Sequence, residues 1–369
     1  MPAYTVPSRR ANIIINYEGK DISADIAPYL LSFTFTDNSG GKADDLSITL
    51  EDREGLWLTN WQPSKSDVIT CSIVKQDFPE TLTLPCGSFS IDQIDYSYPP
   101  AVMSIKAVSA SIRKSIAQEK HTRFWENMTL AGIAADIAGR NNLALMMSTQ
   151  GSGVLERIDQ TEQTDLEFLK ALCADYGQEC KIQEGRIIIY DLEEYEAKAP
   201  VTVISIDDDR LLSVKFTSKS AKVYRKARVK YHDALKDEDY EGEYEDEDEE
   251  GSERELEIYE RAESQAHAET IARKRLIDAN RKEITGTLSL MGDVNLAAAV
   301  TIELSGFGMF SGKHFVNKAT HKVDRSGYVT TLELGMPSES KKASKKRKAR
   351  AQKRGGGNGG LYYEGPDLY

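Results

Sequence analysis

The residue types that most often act in catalysis or bind metal ions are few in this chain, and their spacing does not match that of known catalytic or metal-binding motifs. There are five histidines: His121, His232, His267, His314 and His321. None has the H-x-x-x-H or H-E-x-x-H spacing that places two imidazoles on one metal ion. His314 and His321 would meet if they lay at neighbouring sheet positions. We interpret both as structural residues, with His321 in a packing or hydrogen-bonding role.

The cysteines also suggest no chemistry. Cys71, Cys86, Cys173 and Cys180 are too few and too scattered for a disulfide framework or a zinc ribbon. Cys173 and Cys180 are seven residues apart across a predicted helix end. This spacing predicts a pair of buried thiols rather than a bridge.

Hydrolytic and nucleotide-binding motifs do not occur in the sequence, which has no G-x-S-x-G elbow, P-loop or dinucleotide glycine fingerprint. The glycine-rich stretch 305–308 falls between predicted strands rather than before a helix. Acidic groups at 44–45 and 207–209 have the composition of a glycosidase or metal site. Turn formation and helix capping explain them more simply. The sequence therefore predicts no catalytic, cofactor-binding or metal-binding residue.

The composition indicates a globular protein with two or three domains. The chain has 369 residues, of which 40% are hydrophobic and 29% charged. No segment approaches the roughly 18 consecutive apolar residues that a membrane span needs. The first 19 residues have no small-residue cleavage site, so we expect synthesis in the cytoplasm and no membrane span.

Charge is distributed unevenly along the chain. The net charge is −12, yet residues 341–369 carry nine Lys or Arg against only Glu364 and Asp367. The remainder is therefore more acidic than the whole. A body with this charge repels nucleic acid.

The first hundred residues have the pattern of short strands and turns. Apolar and polar residues alternate in 31–36 and 46–50, so each of these strands has one apolar face. Six strands are predicted, over 13–17, 31–36, 46–50, 68–74, 88–95 and 101–107. Close spacing of short strands favours a small barrel or sandwich over residues 1–107.

Helical signals dominate the next segment. Apolar residues recur with helical spacing in 129–141, with Thr129 as the N-cap. A second helix begins with a capping box of Thr164 and Glu167 and ends at Gly177. Residues 179–191 then predict a hairpin around 184–185. We therefore expect a small helix-plus-hairpin insert over 108–200.

Strands return after the insert. They are predicted over 201–206, 212–217, 222–231, 284–290, 300–304, 314–322 and 328–334, with a helix over 264–280. Residues 201–340 thus form a second β module, whose sequence does not visibly repeat the first. The predicted fold class is α+β, mainly β.

Several segments in a fixed order resemble one protein family. They are PYLLSFTFTDN at 28–38, ADDLSITLEDREGLW at 43–57, EKHT at 119–122, TDLEFL at 164–169 and LSGFGMFSGKHFVNKATHKVDRSGYVTTLEL at 304–334. Together they resemble the late control D family of contractile-tailed phages. That family is the phage counterpart of baseplate hub proteins and of the amino-terminal part of type VI secretion spike proteins. The resemblance spans roughly residues 9–336.

The resemblance implies a structural baseplate hub. Three copies would form a ring, and each would contribute two modules similar to tail-tube subunits, so that a sixfold tube meets a threefold spike. The implied partners are two further copies, the tail tube protein, a separate spike protein, other baseplate proteins and, as a further candidate, the tape measure protein. The implied location is the virion baseplate or a tail-like particle, with nucleic acid only as cargo in the channel.

Two charged segments have open interpretations. Residues 237–253 contain twelve acids. We favour a solvated, disordered loop. The alternative is that three copies of this segment, one from each chain of the ring, repel cargo in the channel or hold a basic partner. Residues 341–369 combine a basic block at 341–354, a glycine run and an aromatic terminus, which predicts a disordered extension. Docking on an acidic neighbour, including 237–253 of another copy, is favoured over binding nucleic acid.

Two other functions stay open at this point. A tail-associated cell-wall hydrolase would need its acids or histidines gathered in a pocket. A nucleic-acid-binding assembly factor would act through 341–354.

Overall fold

The structure is a computed structural model. It describes residues 10–40, 42–77, 80–110, 114–148, 153–183, 185–219, 223–234, 237–246, 253–262 and 264–337. The basic segment predicted over 341–369 lies outside these ranges, as do residues 247–252 of the acidic run.

The fold is mainly β with several helices, as the sequence predicts. The strands are β1 Arg10–Tyr17, β2 Lys20–Asp21, β3 Leu30–Asn38, β4 Asp45–Glu51, β5 Val68–Asp77, β6 Glu80–Ser97, β7 Val102–Ser109, β8 Lys120–Thr129, β9 Ala144–Met147, β10 Val154–Thr164, β11 Gln178–Gln183, β12 Arg186–Asp191, β13 Val203–Ser205, β14 Leu211–Ser218, β15 Lys226–Asp233, β16 Glu238–Glu245, β17 Glu255–Ile258, β18 Ile284–Met291, β19 Thr301–Ser305, β20 Gly312–Asp324 and β21 Gly327–Gly335. The helices are α1 Ser23–Ile26, α2 Lys114–Gln118, α3 Leu130–Arg140, α4 Asp165–Asp175, α5 Leu192–Ala197 and α6 Gln265–Arg281. No described helix combines the length and apolar character needed to cross a bilayer.

Thirteen strands form one continuous sheet, here called the central sheet. Its hydrogen-bonded order is β14-β18-β21-β20-β3-β4-β7-β6-β5-β1-β2, with β13 and β19 joined through β20. The antiparallel pair β3–β20 connects the amino-terminal strands to the carboxyl-terminal ones. The described strands therefore form no closed barrel.

The first half of the central sheet, β1–β7, encloses its own apolar core. Alternation places Phe33 and Phe35 of β3 and Leu46, Ile48 and Leu50 of β4 on the buried face. The rings of Phe35 on β3 and Phe89 on β6 meet edge to face at 5.9 Å. These strands are not neighbours in the sheet, so the sheet curls around this core.

The second half contains β13, β14 and β18–β21 around a separate core. Leu288, Leu304, Val316 and Leu332 are fully or almost fully buried in it. β14 and β18 pair in antiparallel register, although 65 residues separate Ser218 from Ile284. Everything between these two strands is therefore excluded from the central sheet.

The insert lies between β7 and β13 and has its own core. Helices α3 and α4 occur where predicted, and the Thr129 side chain accepts the Gly132 amide at 3.1 Å. The Thr164 and Glu167 capping box is also present. The predicted hairpin forms as β11 and β12, and β12 also pairs with β9. The antiparallel ribbon of β8 and β10 was not predicted.

A second inserted unit, residues 223–281, was also not predicted. Its sheet has the order β16-β15-β17, and α6 packs on one face of it through Ala268, Ile271 and Leu276. The α6 bounds agree with the predicted helix, and Ser264 is its N-cap. Residues 238–245 of the acidic run form β16, so the prediction of a disordered loop is wrong for this part.

Close approach of β16 and α6 makes Gly242 sensitive to substitution. A Cβ atom at this position would overlap the backbone carbonyl of Ala268. We expect Gly242→Ala to lower the free energy of unfolding by about 1–3 kcal/mol, because the helix must move away from the sheet. Urea unfolding and hydrogen exchange of β15 and β16 measure this effect.

The control is Gly139→Ala in α3, where a Cβ atom would meet nothing within 4 Å. Alanine is a better helix former there, so stability should rise by about 0.5–1 kcal/mol. Equal effects of the two substitutions would contradict the packing described for α6.

Candidate functional site

A buried ion cluster lies where the insert meets the central sheet. The Nζ atom of Lys181 on β11 lies 2.7 Å from Oδ1 of Asp37 and 3.2 Å from Oδ2 of Asp44. Asp37 belongs to β3, and Asp44 directly precedes β4. All three side chains are largely shielded from solvent. The cluster therefore joins residues that are 144 positions apart in the chain.

Two backbone amides also bind the carboxylates of the cluster, and a further hydrogen bond lies close by. The second Asp37 oxygen accepts the Ala298 amide at 2.8 Å, which adds the loop before β19. The Asn38 amide donates to Asp44 at 2.9 Å. Nearby, the Tyr190 hydroxyl donates to the Ser39 carbonyl at 2.6 Å. The insert and both halves of the central sheet thus meet at one point.

Burial dominates the electrostatics of Asp44. It raises the pKa of this carboxyl to about 6, although the Lys181 ammonium opposes the shift. The carboxyl is therefore ionised at neutral pH at a cost in stability. Removing one partner of a buried ion pair usually costs about 3–5 kcal/mol, because the other charge stays buried without compensation.

The two inserted units contact each other through ion pairs of α6. Arg281 binds Glu196 at 2.9 Å, and both side chains are mostly buried. Lys274 binds Glu193 at 2.7 Å, and Arg275 binds Asp175 at 2.8 Å. His267 stacks on Tyr176 at 4.8 Å between ring centroids. These contacts lie at the boundary between the two units.

The acidic strand β16 is compensated by basic residues of β15. Lys226 lies 2.7 Å from Glu243, and Arg225, just before β15, lies 2.7 Å from Glu245. Arg228 binds Glu243 and also lies 3.3 Å from Glu255 of β17. The carboxylates of this strand are therefore paired within the unit.

Exposed apolar side chains gather on the second half of the central sheet. We call them the apolar rim: Val201, Val203, Ile206, Leu212, Val214, Met291 and Met309. Val203 lies on β13, Leu212 and Val214 lie on β14, and each of these strands pairs on one edge only within the described residues. Unpaired strand edges beside exposed apolar residues are typical of protein–protein contacts.

The structure separates the candidate chemical residues. His314 and His321 lie on the same strand, seven residues apart, and do not meet. His314 packs against Phe216 in the second core, whereas His321 stacks on Phe35 and its Nδ1 lies 2.8 Å from the Tyr328 hydroxyl. The packing role predicted for His321 is confirmed. Among the described residues, no group of His, Cys, Asp and Glu side chains could hold a metal ion.

The other candidates have structural surroundings as well. All four cysteines are buried free thiols, as predicted for Cys173 and Cys180. Asp208 forms a turn, accepting the Arg210 amide at 2.9 Å. Asp44 is different, because it belongs to the ion cluster and not to a turn or a helix cap.

Sequence reasoning missed the ion cluster and the second inserted unit. One signal for the cluster was Lys181, a single charge between the apolar residues Cys180 and Ile182 of a predicted strand. A signal for the unit was the cluster of basic residues at 225–230, close in sequence to the acidic run.

The family comparison agrees with this architecture. The model of the phage tail baseplate hub (GPD) family matches residues 113–327, more than half of the chain. The chain belongs to this baseplate hub family. It is 31% identical over 173 residues to the probable baseplate hub protein of Escherichia phage P2. That match covers 46% of this chain and 43% of the P2 protein, so less than half of the relative's length is represented.

Solved structures share the fold at low identity. The 43 kDa tail protein of prophage MuSo2 from Shewanella oneidensis has a TM-score of 0.68 and 13% identity, covering 88% of this hub family member and 98% of the tail protein. A type VI secretion component from E. coli has a TM-score of 0.50 and 11% identity, covering 84% and 73% of the two chains. The hub fold is therefore shared between phage tails and a secretion system.

Lys181→Met tests the ion cluster. We expect it to lower the free energy of unfolding by about 3–5 kcal/mol at pH 8, because Asp37 and Asp44 lose their cation. The loss should be smaller at pH 5. The folded-state pKa of Asp44 lies above its ordinary value and rises further without Lys181, so a proton removes this charge as pH falls. Urea unfolding at the two pH values measures the difference.

Lys322→Met is the control for this substitution. Lys322 is half exposed and pairs with Asp324, whose pKa of about 2 places its titration below the tested pH range. Its effect should stay below about 1 kcal/mol and should be similar at pH 5 and pH 8. A loss for Lys181→Met that is the same at both pH values would contradict the assigned role of Asp44.

Proposed function

We propose that this protein is a structural, non-enzymatic baseplate hub that acts as a trimeric ring between a sixfold tail tube and a threefold spike. The observation that carries the proposal is the division of the central sheet into two halves. Each half curls around its own core, and the halves are joined edge to edge by β3 and β20. Three copies would present six such tube-like halves around a channel.

The apolar rim and the free edges support a head-to-tail contact between copies. β14 ends the strand order on one side, and on the other side β1 pairs with β2 only at Asn16 and Tyr17. A contact between two different surfaces of identical chains forms a ring when the rotation closes. We assign the rim to one side of that contact and the β1 side of the first half to the other.

The remaining partners follow from this position in the tail. They are the tube protein, the spike, other baseplate proteins and, as a further candidate, the tape measure protein. The protein would be made in the host cytoplasm and reside in the virion baseplate or in a tail-like particle. Nucleic acid would pass the channel as cargo. The pairing of β16 with β15 argues against this strand as an electrostatic barrier to that cargo.

The two alternative functions have less support. The acids and histidines that a cell-wall hydrolase would use are in separate places: Asp208 in a turn, His314 in one core and His321 at the other. A nucleic-acid-binding factor would depend on 341–354, which lie outside the described residues.

Val203→Glu tests the proposed interface. The side chain is 61% exposed, so a carboxylate should be tolerated in the monomer but should disfavour burial against another copy. We expect the unaltered chain to have three times its mass of 41.1 kDa, and the variant to dissociate at concentrations where the unaltered chain is assembled. Native mass measured over a range of concentrations tests both expectations.

The matched control is Val154→Glu in the insert, where the valine is 65% exposed. It should keep the mass of the unaltered chain. A trimer that is unaffected by Val203→Glu would remove the rim from the interface, and an unaltered chain that stays monomeric would contradict assembly by the hub alone.

A further inference from the structure

The first half of the central sheet contains a deep apolar pocket. Its volume is about 350 Å³, and it opens between the loop before β5 and the segment around α1. Core residues of β4, β5 and β7 form the floor: Ile48, Leu50, Ile69 and Ile105. This volume lies within the range of small-ligand pockets.

Aromatic residues form one wall and part of the mouth. Trp57 and Trp61 meet at 5.3 Å between ring centroids, and Tyr29 contacts both rings edge to face, at 6.3 and 5.8 Å. Trp57 is buried, whereas Trp61 is 38% exposed and the neighbouring Leu58 is 50% exposed. The mouth therefore keeps apolar surface in water, which an apolar occupant would cover.

Polar groups surround the rest of the mouth. Lys20 and Asp25 contribute opposite charges, and Asn60 contributes an amide. An occupant with an apolar or aromatic body and a polar tip suits this combination. Tyrosine has these properties, and an acidic neighbour in the occupant would suit Lys20.

The carboxyl-terminal segment of the same chain has the required chemistry. Residues 361–364 are Leu-Tyr-Tyr-Glu, so three large side chains precede a carboxylate. They follow a glycine run at 355–360, which imposes little conformational restriction.

The chain can also reach the pocket. The last described residues leave the central sheet at Met336, which is buried and whose amide donates to the Ile284 carbonyl. The other end of β21, at Gly327, is the end nearer the pocket. Gly327 pairs with Asp324 of β20, Asp324 pairs with Ser32 of β3, and β3 pairs with the pocket strand β4. The length of β21 and three strand spacings give a separation on the order of 30 Å. Residues 338–360 provide 23 residues for this distance, and an unstructured linker of 23 residues has an average end-to-end distance of about 25–30 Å.

We propose that Leu361, Tyr362 and Tyr363 occupy this pocket in their own chain. The apolar floor holds the side chains, the edges of the Trp57 and Trp61 rings cover them, and Lys20 binds the carboxylate of Glu364. The linker length matches the distance to be bridged, so the effective concentration of the segment at the pocket is close to its maximum. The pocket lining includes Ile15, Tyr17 and Lys20 on the β1 side, which is assigned above to the contact between copies, so the exchange test is made at concentrations where the chain is monomeric.

Hydrogen exchange of the full chain tests the proposal. Leu361, Tyr362 and Tyr363 are replaced together by Ser, and amide exchange is compared over residues 15–26 and 56–63, which border the pocket. We expect exchange there to become about tenfold faster, with no change elsewhere in the central sheet. The matched control replaces Leu368 and Tyr369 by Ser and should leave exchange unchanged.

A second set of variants addresses the pocket side. Lys20→Gln should increase exchange in the same direction, and combining it with the triple Ser variant should add nothing further, because both weaken the same contact. A synthetic peptide of residues 359–369, added to a chain that ends at residue 357, should restore protection and reduce acrylamide quenching of tryptophan fluorescence.

Three results would overturn the inference. They are unchanged exchange in the triple Ser variant, protection that moves to β14 instead of the pocket, and protection that depends on chain concentration, which indicates an occupant from another copy. Native mass is measured in parallel and should be the same for all tail variants. A failure of trimer assembly can therefore be distinguished from a failure of the pocket contact.

Discussion

The antiparallel pairing of β3 with β20 is the constraint on which the rest of the structure depends. Seven residue pairs, from Ser32–Asp324 to Asn38–Lys318, join strands that are almost 300 residues apart in sequence. Side chains alternate between faces, so a slip of one residue would turn Phe33 and Phe35 out of the first core. Stacking of His321 on Phe35, which are directly paired, adds a further contact in this register. Once the pair forms, both inserted units must lie outside the central sheet.

Several buried ionic contacts lie where separately cored units meet. Lys181 binds Asp37 and Asp44 between the insert and the sheet, and Arg281 binds Glu196 between the two inserted units. Buried ion pairs add little net stability compared with apolar packing, since desolvation offsets the attraction. They nevertheless favour one relative orientation of the units, because moving one partner away leaves the other charge buried without compensation. We interpret these pairs as fixing the orientation of units whose apolar cores already stabilise each unit separately.

Local signals in the sequence predicted most individual helices and strands. Features that depend on contacts between residues far apart in the chain could not be predicted in this way. Thr129 and Thr164 marked the starts of α3 and α4 because a helix cap depends on residues only three positions away. β16 was not predicted because repulsion among its carboxylates favoured a disordered loop. In the fold this strand pairs with β15, whose Lys226 and Arg228 compensate part of that negative charge. The contact of Lys181 with Asp37 could not be predicted, because no local sequence signal indicates which distant residue pairs with Lys181. The pocket was also beyond sequence reasoning, because its floor combines strands that are adjacent only after the sheet curls.

The distribution of exposed apolar side chains separates the parts of the hub by role. Most of the large ones lie on the central sheet, in the apolar rim of the second half and around the pocket and edge of the first. The second inserted unit instead forms ion pairs, both within itself, as between Lys226 and Glu243, and with the insert, as between Arg281 and Glu196, so many of its charges are compensated. Covering apolar surface favours association, whereas compensated exposed ion pairs contribute little to it. Contacts with other proteins should therefore form along the central sheet, where most of the large exposed apolar side chains lie, while Lys181 fixes the insert on that sheet through its ion pairs.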